Sequence, residues 1–375
     1  MQEIKKRRIV LASVLKPLND PRMLEKLAMS LHNAGYRDIH IIGFPTKLTR
    51  EIHSGITFHP LRAFTRLSVQ RMLASWKILL TVISLKPALF IITTHELLFA
   101  AIVLKVLTRC RIVYDIQENY YKNILGTNAF PRLLRYPIAF YVRLKEKMMS
   151  PFFDALFLAE KCYREELRFA GKHHVLLENK CVVPKDFKRT PTASGTTLLF
   201  TGTLAKSTGI FEAIDLAEKL HQADAKIRLH IVGYCAMHAT WEQLKLRIAG
   251  HPFIQLSGGR ELQPHDVIME AIGHATFGIV YYPPAPHTRN RIPTKLFEYL
   301  ACGLPVLLQN DKHLTAIADS VDGAIAVDFD NVNAADLIHK MSSVHFYSSP
   351  STAFIWETEK TLLINQIQEI FHDQA

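Results

Sequence analysis

The densest set of chemically capable residues runs from Tyr281 to Gly303. Tyr281-Tyr-Pro-Pro-Ala-Pro-His-Thr-Arg-Asn-Arg is too rich in proline to be helical, and Pro293 suits the opening of a helix predicted over Thr294–Ala301. The first amides of such a helix lack intrahelical acceptors and carry the positive end of its dipole. With Arg289, Arg291 and Lys295 beside them they make an anion site. Glu298 lies one turn into the helix, where its carboxylate can accept hydrogen bonds from two vicinal hydroxyls. A diphosphate flanked by a ribose satisfies both features. The plainer alternative for Glu298 is a favourable acid near a helix start.

Those residues need a scaffold. Short runs rich in Ile, Val and Phe alternate with segments of helical period throughout, the pattern of βαβ units and parallel sheets. Strands are predicted at 8–14, 38–43, 89–93, 111–114, 155–158 and 174–177, then at 197–201, 228–232, 253–257, 277–280 and 305–308. Ligands of such folds gather beyond the carboxyl ends of the strands. The residues there are Lys16, Gly43, His95, Asp115, Gly202, Gly233, Gly258-Gly259-Arg260, Tyr281-Tyr282 and Asn310. Glycines dominate the second half, where a backbone must approach something closely, and titratable groups dominate the first. A nucleotide on the C-terminal half and a reacting group on the N-terminal half follow.

At 375 residues, two domains are expected. We place an N-terminal domain at 1–186, a C-terminal one at 187–350, and a terminal helical segment at 351–375 that could pack on either. Cys181 to Gly195, with Pro, Ser and Gly and no periodicity, reads as the linker. The fold class expected is α/β, two tandem doubly wound domains with a cleft between them. Charge is uneven: residues 1–190 hold 32 Lys+Arg against 15 Asp+Glu, a net +17, and the remainder 13 against 19, a net −6. Such a basic half implies an anionic surface. Between Leu61 and Lys86, Arg62, Arg66, Arg71, Lys77 and Lys86 interleave with Phe64, Leu67, Met72, Leu73, Trp76, Ile78 and Leu79, as in a helix lying on a bilayer. A solvated basic face on an ordinary core helix is the alternative. A membrane surface is therefore expected, and no nucleic acid. No apolar stretch reaches the roughly 18 to 20 residues that span a bilayer. Five single cysteines read as reduced thiols and a cytoplasmic setting.

Other motifs carry little. Asp328-Phe-Asp330 imitates a metal-binding pair but reads as a cap, and His173-His174 lacks the partner residues of a metalloprotease helix. No phosphate-binding Gly-x-x-x-x-Gly-Lys loop occurs, and no Gly-x-Gly-x-x-Gly follows the first strand. No metal site and no cofactor are expected.

Asn290-Arg-Ile-Pro-Thr-Lys-Leu-Phe-Glu-Tyr-Leu-Ala-Cys-Gly-Leu-Pro-Val resembles the donor-binding signature of the family-four glycosyltransferases, also called group 1, which have the two-domain GT-B fold. Leu199-Phe-Thr-Gly202-Thr-Leu-Ala-Lys206-Ser-Thr-Gly209 and Leu229-His-Ile-Val-Gly233 are similar to that family's glycine turns. Ile91-Ile-Thr-Thr-His95-Glu96 and Tyr114-Asp115-Ile-Gln-Glu118 resemble its N-terminal segments more loosely. The chain departs from the family at Asn290, where the first of a pair of acids is usual, at Thr203 and Thr208, where Arg and Lys are usual, and at Lys16 to Arg22, which replaces a glycine pair.

The resemblance implies a metal-independent transfer of a hexose from a UDP- or GDP-sugar to a glycan or lipid-linked acceptor with retention, in cell-surface polysaccharide or glycolipid synthesis on the inner face of the plasma membrane. His95, Lys295 and Asn290 are its expected catalytic residues. Gly202, Thr203, Lys206, Gly233, Ser257, Gly259, Arg260, Arg291, Pro293, Thr294, Lys295 and Glu298 would hold the donor, and Lys16, Arg22, Asp115 and Glu118 the acceptor. The rivals are a sugar-nucleotide epimerase of the same fold and a non-catalytic protein that binds nucleotide or polyanion.

Overall fold

The structure is a computed structural model that describes residues 7–46, 55–62, 64, 68–127, 130–171, 173–191, 195–285, 288, 290–347 and 351–372. The chain forms two compact units, Met1–Asn179 with Glu357–Ala375, and Lys180–Trp356. Each is built on one parallel sheet.

The first sheet holds β1 (Ile9–Pro17), β2 (Ile39–Phe44), β3 (Ile56–Pro60), β4 (Leu89–Ile92), β5 (Arg111–Ile116), β6 (Ala155–Leu158) and β7 (His174–Leu176), in the order β3-β2-β1-β4-β5-β6-β7. The second holds β8 (Thr196–Thr203), β9 (Ile227–Tyr234), β10 (Ile254–Gly259), β11 (Phe277–Val280), β12 (Val306–Gln309) and β13 (Ala324–Val327), in the order β10-β9-β8-β11-β12-β13. The central strands β1 and β4 and the strands β11 and β12 are buried on both faces and read as nearly unbroken apolar runs, while β9 is exposed at Arg228. Two strands escape the sequence pattern for a physical reason: β3 and β13 lie at sheet edges, and Ile-Thr-Phe-His-Pro and Ala-Ile-Ala-Val carry too little apolar bulk to announce themselves. β1, β5, β8, β9 and β10 run two or three residues beyond their expected ends, so Lys16, Asp115, Gly202, Gly233 and Gly259 belong to the strand tips.

In both sheets the chain order reverses at the centre, between β1 and β4 and between β8 and β11. Each reversal opens a crevice at the carboxyl edge. In the second unit the helix Thr294–Ala301 is fixed across that crevice by Tyr299, which is fully buried. Its ring lies where a Cβ on Gly278 of β11 would stand, 2.3 Å away, and its hydroxyl accepts the Thr201 amide of β8 at 3.0 Å.

The segment expected to be a free linker is instead laid along the second unit. Thr190 N donates to Gly273 O at 2.8 Å, and Arg189 bonds the carbonyls of Ala275 and Gly303. An extended strip held by backbone contacts has no periodicity, so its composition alone resembles a linker; residues 192–194 lie outside the described set. The last helix, Glu357–His372, buries Leu363, Ile367, Ile370 and Phe371 in the first unit, with Phe371 against Tyr36. The five cysteines are all free thiols.

Tyr299→Phe leaves the buried Thr201 amide without its acceptor and should lower stability by about 1–3 kcal/mol, seen as an earlier urea midpoint at unchanged slope. An unmoved midpoint would show that the hydroxyl does not hold the helix.

Candidate functional site

In the second unit the tips of β8, β9 and β10 set Gly202, Gly233 and Gly258 side by side in register. A Cβ on Gly233 would stand 1.8 Å from Gly202 O, and one on Gly258 2.4 Å from Gly233 O, so no side chain fits at either place. Gly202, by contrast, has open space where its Cβ would be, with φ +96°, and Gly259 is pressed on the Trp241 ring with φ +82°. The row is a bare peptide edge that a ligand can approach closely. A Cβ on Gly209, which opens the helix Ile210–Ala223, would stand 2.4 Å from Tyr281 O.

Lys295 stands in the first turn of the helix Thr294–Ala301, whose N-cap is Pro293, a residue with no side-chain cap to offer. It is only 5% exposed. Its Nζ lies 3.5 Å from the centroid of the Phe200 ring and 5.6 Å from that of Tyr282, with no hydrogen-bond partner among the described residues. Burial pushes its pKa down to about 7, against the pull of Glu298. A buried ammonium beside a helix N-terminus is a strong anion locus. Glu298, one turn on, has His265 Nε2 3.4 Å from its Oε1. His265, the first residue of the helix His265–His274, carried no signal in the sequence.

The remaining donor candidates divide. Ser257 Oγ bonds His230 Nε2 at 3.0 Å on β10, and Arg260 donates to the carbonyls of Cys235 and Ala236, bracing the loop after β9. Thr203 and Lys206 are exposed at the end of β8, and Arg291 is half-buried before the helix. Arg289 lies outside the described residues. Asn290 is exposed with φ +64°, a left-handed turn that Asn tolerates and a longer acid does not favour. The backbone thus supplies a reason for an amide at that position. Asp328 caps its own turn, accepting the amides of Asp330 and Asn331.

In the first unit His95 stands at the end of β4, across the crevice from the tip of β1. Lys145 Nζ lies 3.2 Å from its Nδ1, Tyr120 packs edge-on at 4.6 Å, and Glu96 Oε1 is 3.6 Å from Nε2. Burial pushes His95 down to about 4 although Glu96 opposes it, so the ring is neutral near pH 7. With Lys145 donating to Nδ1, the ring proton sits on Nε2. Arg71 in turn holds Glu96, its Nε 3.0 Å from Oε1. Lys16 and Glu118 face the same cavity as His95, with Lys16 paired to Asp20 at 3.4 Å and Glu118 accepting from Asn123 at 2.8 Å.

Arg22 and Asp115 do not. They are 3% and 0% exposed and grip each other through Nη2–Oδ1 at 2.6 Å and Nε–Oδ2 at 2.9 Å, while Arg22 also donates to Leu177 O. Their expected role toward an acceptor is corrected to a structural one: each is the other's solvation, tying the turn Arg22–Ala28 to β5.

The basic helix expected on a membrane is Val69–Leu85. Leu73, Trp76 and Leu80 project outward beside exposed Lys77, but Ile78 and Leu79 belong to the core; Arg66 and Leu67 lie outside the described residues. The helix Arg132–Met149 exposes more apolar surface, with Leu133 at 91%, Tyr136 at 71% and Phe140 and Met148 at 64%. Among the described residues no helix is long and apolar enough to cross a membrane.

Residues 195–344 match the model of the family described as Glycosyl transferases group 1. No curated protein matches the sequence. Solved structures similar to the chain include a sucrose-phosphate synthase from Thermosynechococcus elongatus, at 13% identity and TM-score 0.71 over 98% of this chain and 100% of that one. An α,α-trehalose 6-phosphate synthase from Burkholderia multivorans gives 11% and 0.64 over 99% and 100%. Anabaena HepE, solved with UDP and glucose, gives 13% and 0.61 over 98% and 99%.

As pH falls from 6.5 toward 4, unfolded chains bind a proton on His95 that folded ones refuse. Stability should therefore fall by up to about 3 kcal/mol across that window on account of His95 alone. Urea midpoints of wild type and His95→Gln at pH 7 and pH 5 measure it, and equal losses in both proteins would refute it. By its two units the chain has the GT-B fold, and residues 195–344 resemble the group 1 glycosyl transferases.

Proposed function

We propose that the protein transfers a hexose, with retention, from a UDP- or GDP-sugar to a glycan or lipid-linked acceptor at an anionic membrane surface, without a metal. The observation that carries this reading is Lys295, buried and unpartnered by hydrogen bonds among the described residues, in the first turn of its helix and over the Phe200 ring of β8, the strand that ends in Gly202 and Thr203. A diphosphate completes it: two negative phosphates supply the charge Lys295 lacks, and Glu298 receives the ribose hydroxyls. The solved complex of HepE with UDP-glucose supports a nucleotide sugar as donor.

In the step itself the bond from the anomeric carbon to the diphosphate oxygen breaks and the acceptor oxygen bonds that carbon on the same face. The departing phosphate oxygen takes the acceptor proton. Such a reaction asks the protein for stabilisation of the leaving diphosphate, and one well-aimed donor is worth about 3–4 kcal/mol. Lys295 and the first amides of its helix fill that role. His95, neutral with its proton on Nε2, offers a hydrogen bond to the reacting sugar.

At pH 8 Lys295 is mostly neutral in the empty protein, and a bound diphosphate raises its pKa again. UDP binding at pH 8, followed by calorimetry in buffers of different ionisation enthalpy, should take up close to one proton in wild type and none in Lys295→Met. The variant should also lose about 100- to 1,000-fold in turnover of the nucleotide sugar. Binding without proton uptake, or a variant of full activity, would overturn the assignment. So would conversion of the donor to a sugar isomer, which marks an epimerase.

For the membrane, the first unit's positive charge and the exposed apolar rows of Val69–Leu85 and Arg132–Met149 are the support. Binding to vesicles containing anionic lipid should fall as salt rises, and Leu133→Glu with Phe140→Glu should abolish it. Equal sedimentation with and without vesicles would remove the idea.

A further inference from the structure

A cavity of about 740 Å³ opens beside His95 in the first unit, within the range of about 300–1,000 Å³ usual for small-molecule sites. Its walls are unequal. At one end stand Lys16, His95, Glu96 and Glu118, already engaged with Asp20, Lys145, Arg71 and Asn123. The rest of the lining is mostly apolar, with Leu15, Phe44, Phe64, Ile124, Phe130 and Ile138, beside Ser68, Thr94, Tyr120 and Thr127. A second sugar in that apolar part would strip its hydroxyls of water and offer them few partners. An alkyl or prenyl chain loses nothing there and gains by burial, each buried methylene tightening binding about fourfold. Tyr141 lines the cavity and is at the same time 61% exposed on the helix Arg132–Met149, so the apolar lining continues onto the apolar surface.

We infer that this cavity receives the apolar portion of a lipid-linked acceptor, with the hydroxyl to be glycosylated at the His95 end. The inference rests on reading the chain as a transferase and chooses the lipid-linked class over a free glycan. It divides the acceptor in two: Lys16, His95 and Glu118 meet the polar head, and the phenylalanine-lined part meets the chain. Thr127, at the end of the helix Tyr120–Gly126, lines the same space and offers a place to fill it.

Full-length protein is titrated by calorimetry with dodecyl glucoside below its micelle concentration and with methyl glucoside. Wild type should bind the dodecyl compound at least about 100-fold more tightly. Thr127→Trp should lose that preference, and Leu133→Glu, on the outer surface, should keep it. Equal affinity for both glucosides, binding of neither, or a preference lost in Leu133→Glu and kept in Thr127→Trp would each overturn the inference. Binding of UDP is followed in the same three proteins. Its absence in wild type would sink the transferase reading separately, since the calorimetry reads the cavity without any donor.

Discussion

Tyr299 decides where the chemistry of the second unit can be. Its ring occupies the space that Gly278 leaves on β11, and its hydroxyl takes the amide of Thr201 on β8, so one side chain spans the two strands between which the sheet order reverses. Everything of functional interest on that helix is set by this anchor. Lys295, one turn before Tyr299, is carried over the Phe200 ring, and Glu298, the preceding residue, toward His265. A helix that slid by a single residue would take the cation off its aromatic platform and bury a charge against nothing.

The first unit solves a different problem. A chain of charged side chains, Arg71, Glu96, Lys145 and Glu146 with neutral His95, is sunk among aromatic residues. Burial raises the Glu146 carboxyl to about 7 while it accepts the Tyr114 hydroxyl at 2.9 Å. The effects of His95 and Glu146 on stability have opposite signs in mildly acid solution. One weakens the fold as protons are added and the other as they are removed, which damps the pH response of the unit as a whole.

What could be read from the chain alone follows the range of the interactions. The parallel strands were visible because burial on both faces leaves an apolar run in the sequence. The candidate anion site was visible because Pro293, Lys295 and Glu298 lie within about one turn of each other at one helix start. Partner choice across long separations was not. Nothing near Arg22 indicates that its carboxylate is Asp115, 93 residues on, rather than a ligand, and nothing near His95 points to Lys145, 50 residues away. Ile78 and Leu79 were misread for a related reason: a helix with apolar residues on two faces does not say which face meets the core. The cavity beside His95 draws its walls from six separate segments, and no window of sequence contains it.

The final helix, Glu357–His372, completes the unit that the first 179 residues began, its Glu359 carboxylate accepting the Glu178 amide at 3.1 Å. The first unit is therefore discontinuous, and its core closes only when the last residues of the chain arrive. The order of synthesis and the order of folding cannot coincide: Lys180–Trp356 is whole before its predecessor is, and until then Tyr36 and Leu31 have no cover from Phe371 and its neighbours. A nascent chain halted near Trp356 would carry a finished second unit and an unfinished first one, so loss of Glu357–His372 injures the unit built from the other end of the sequence.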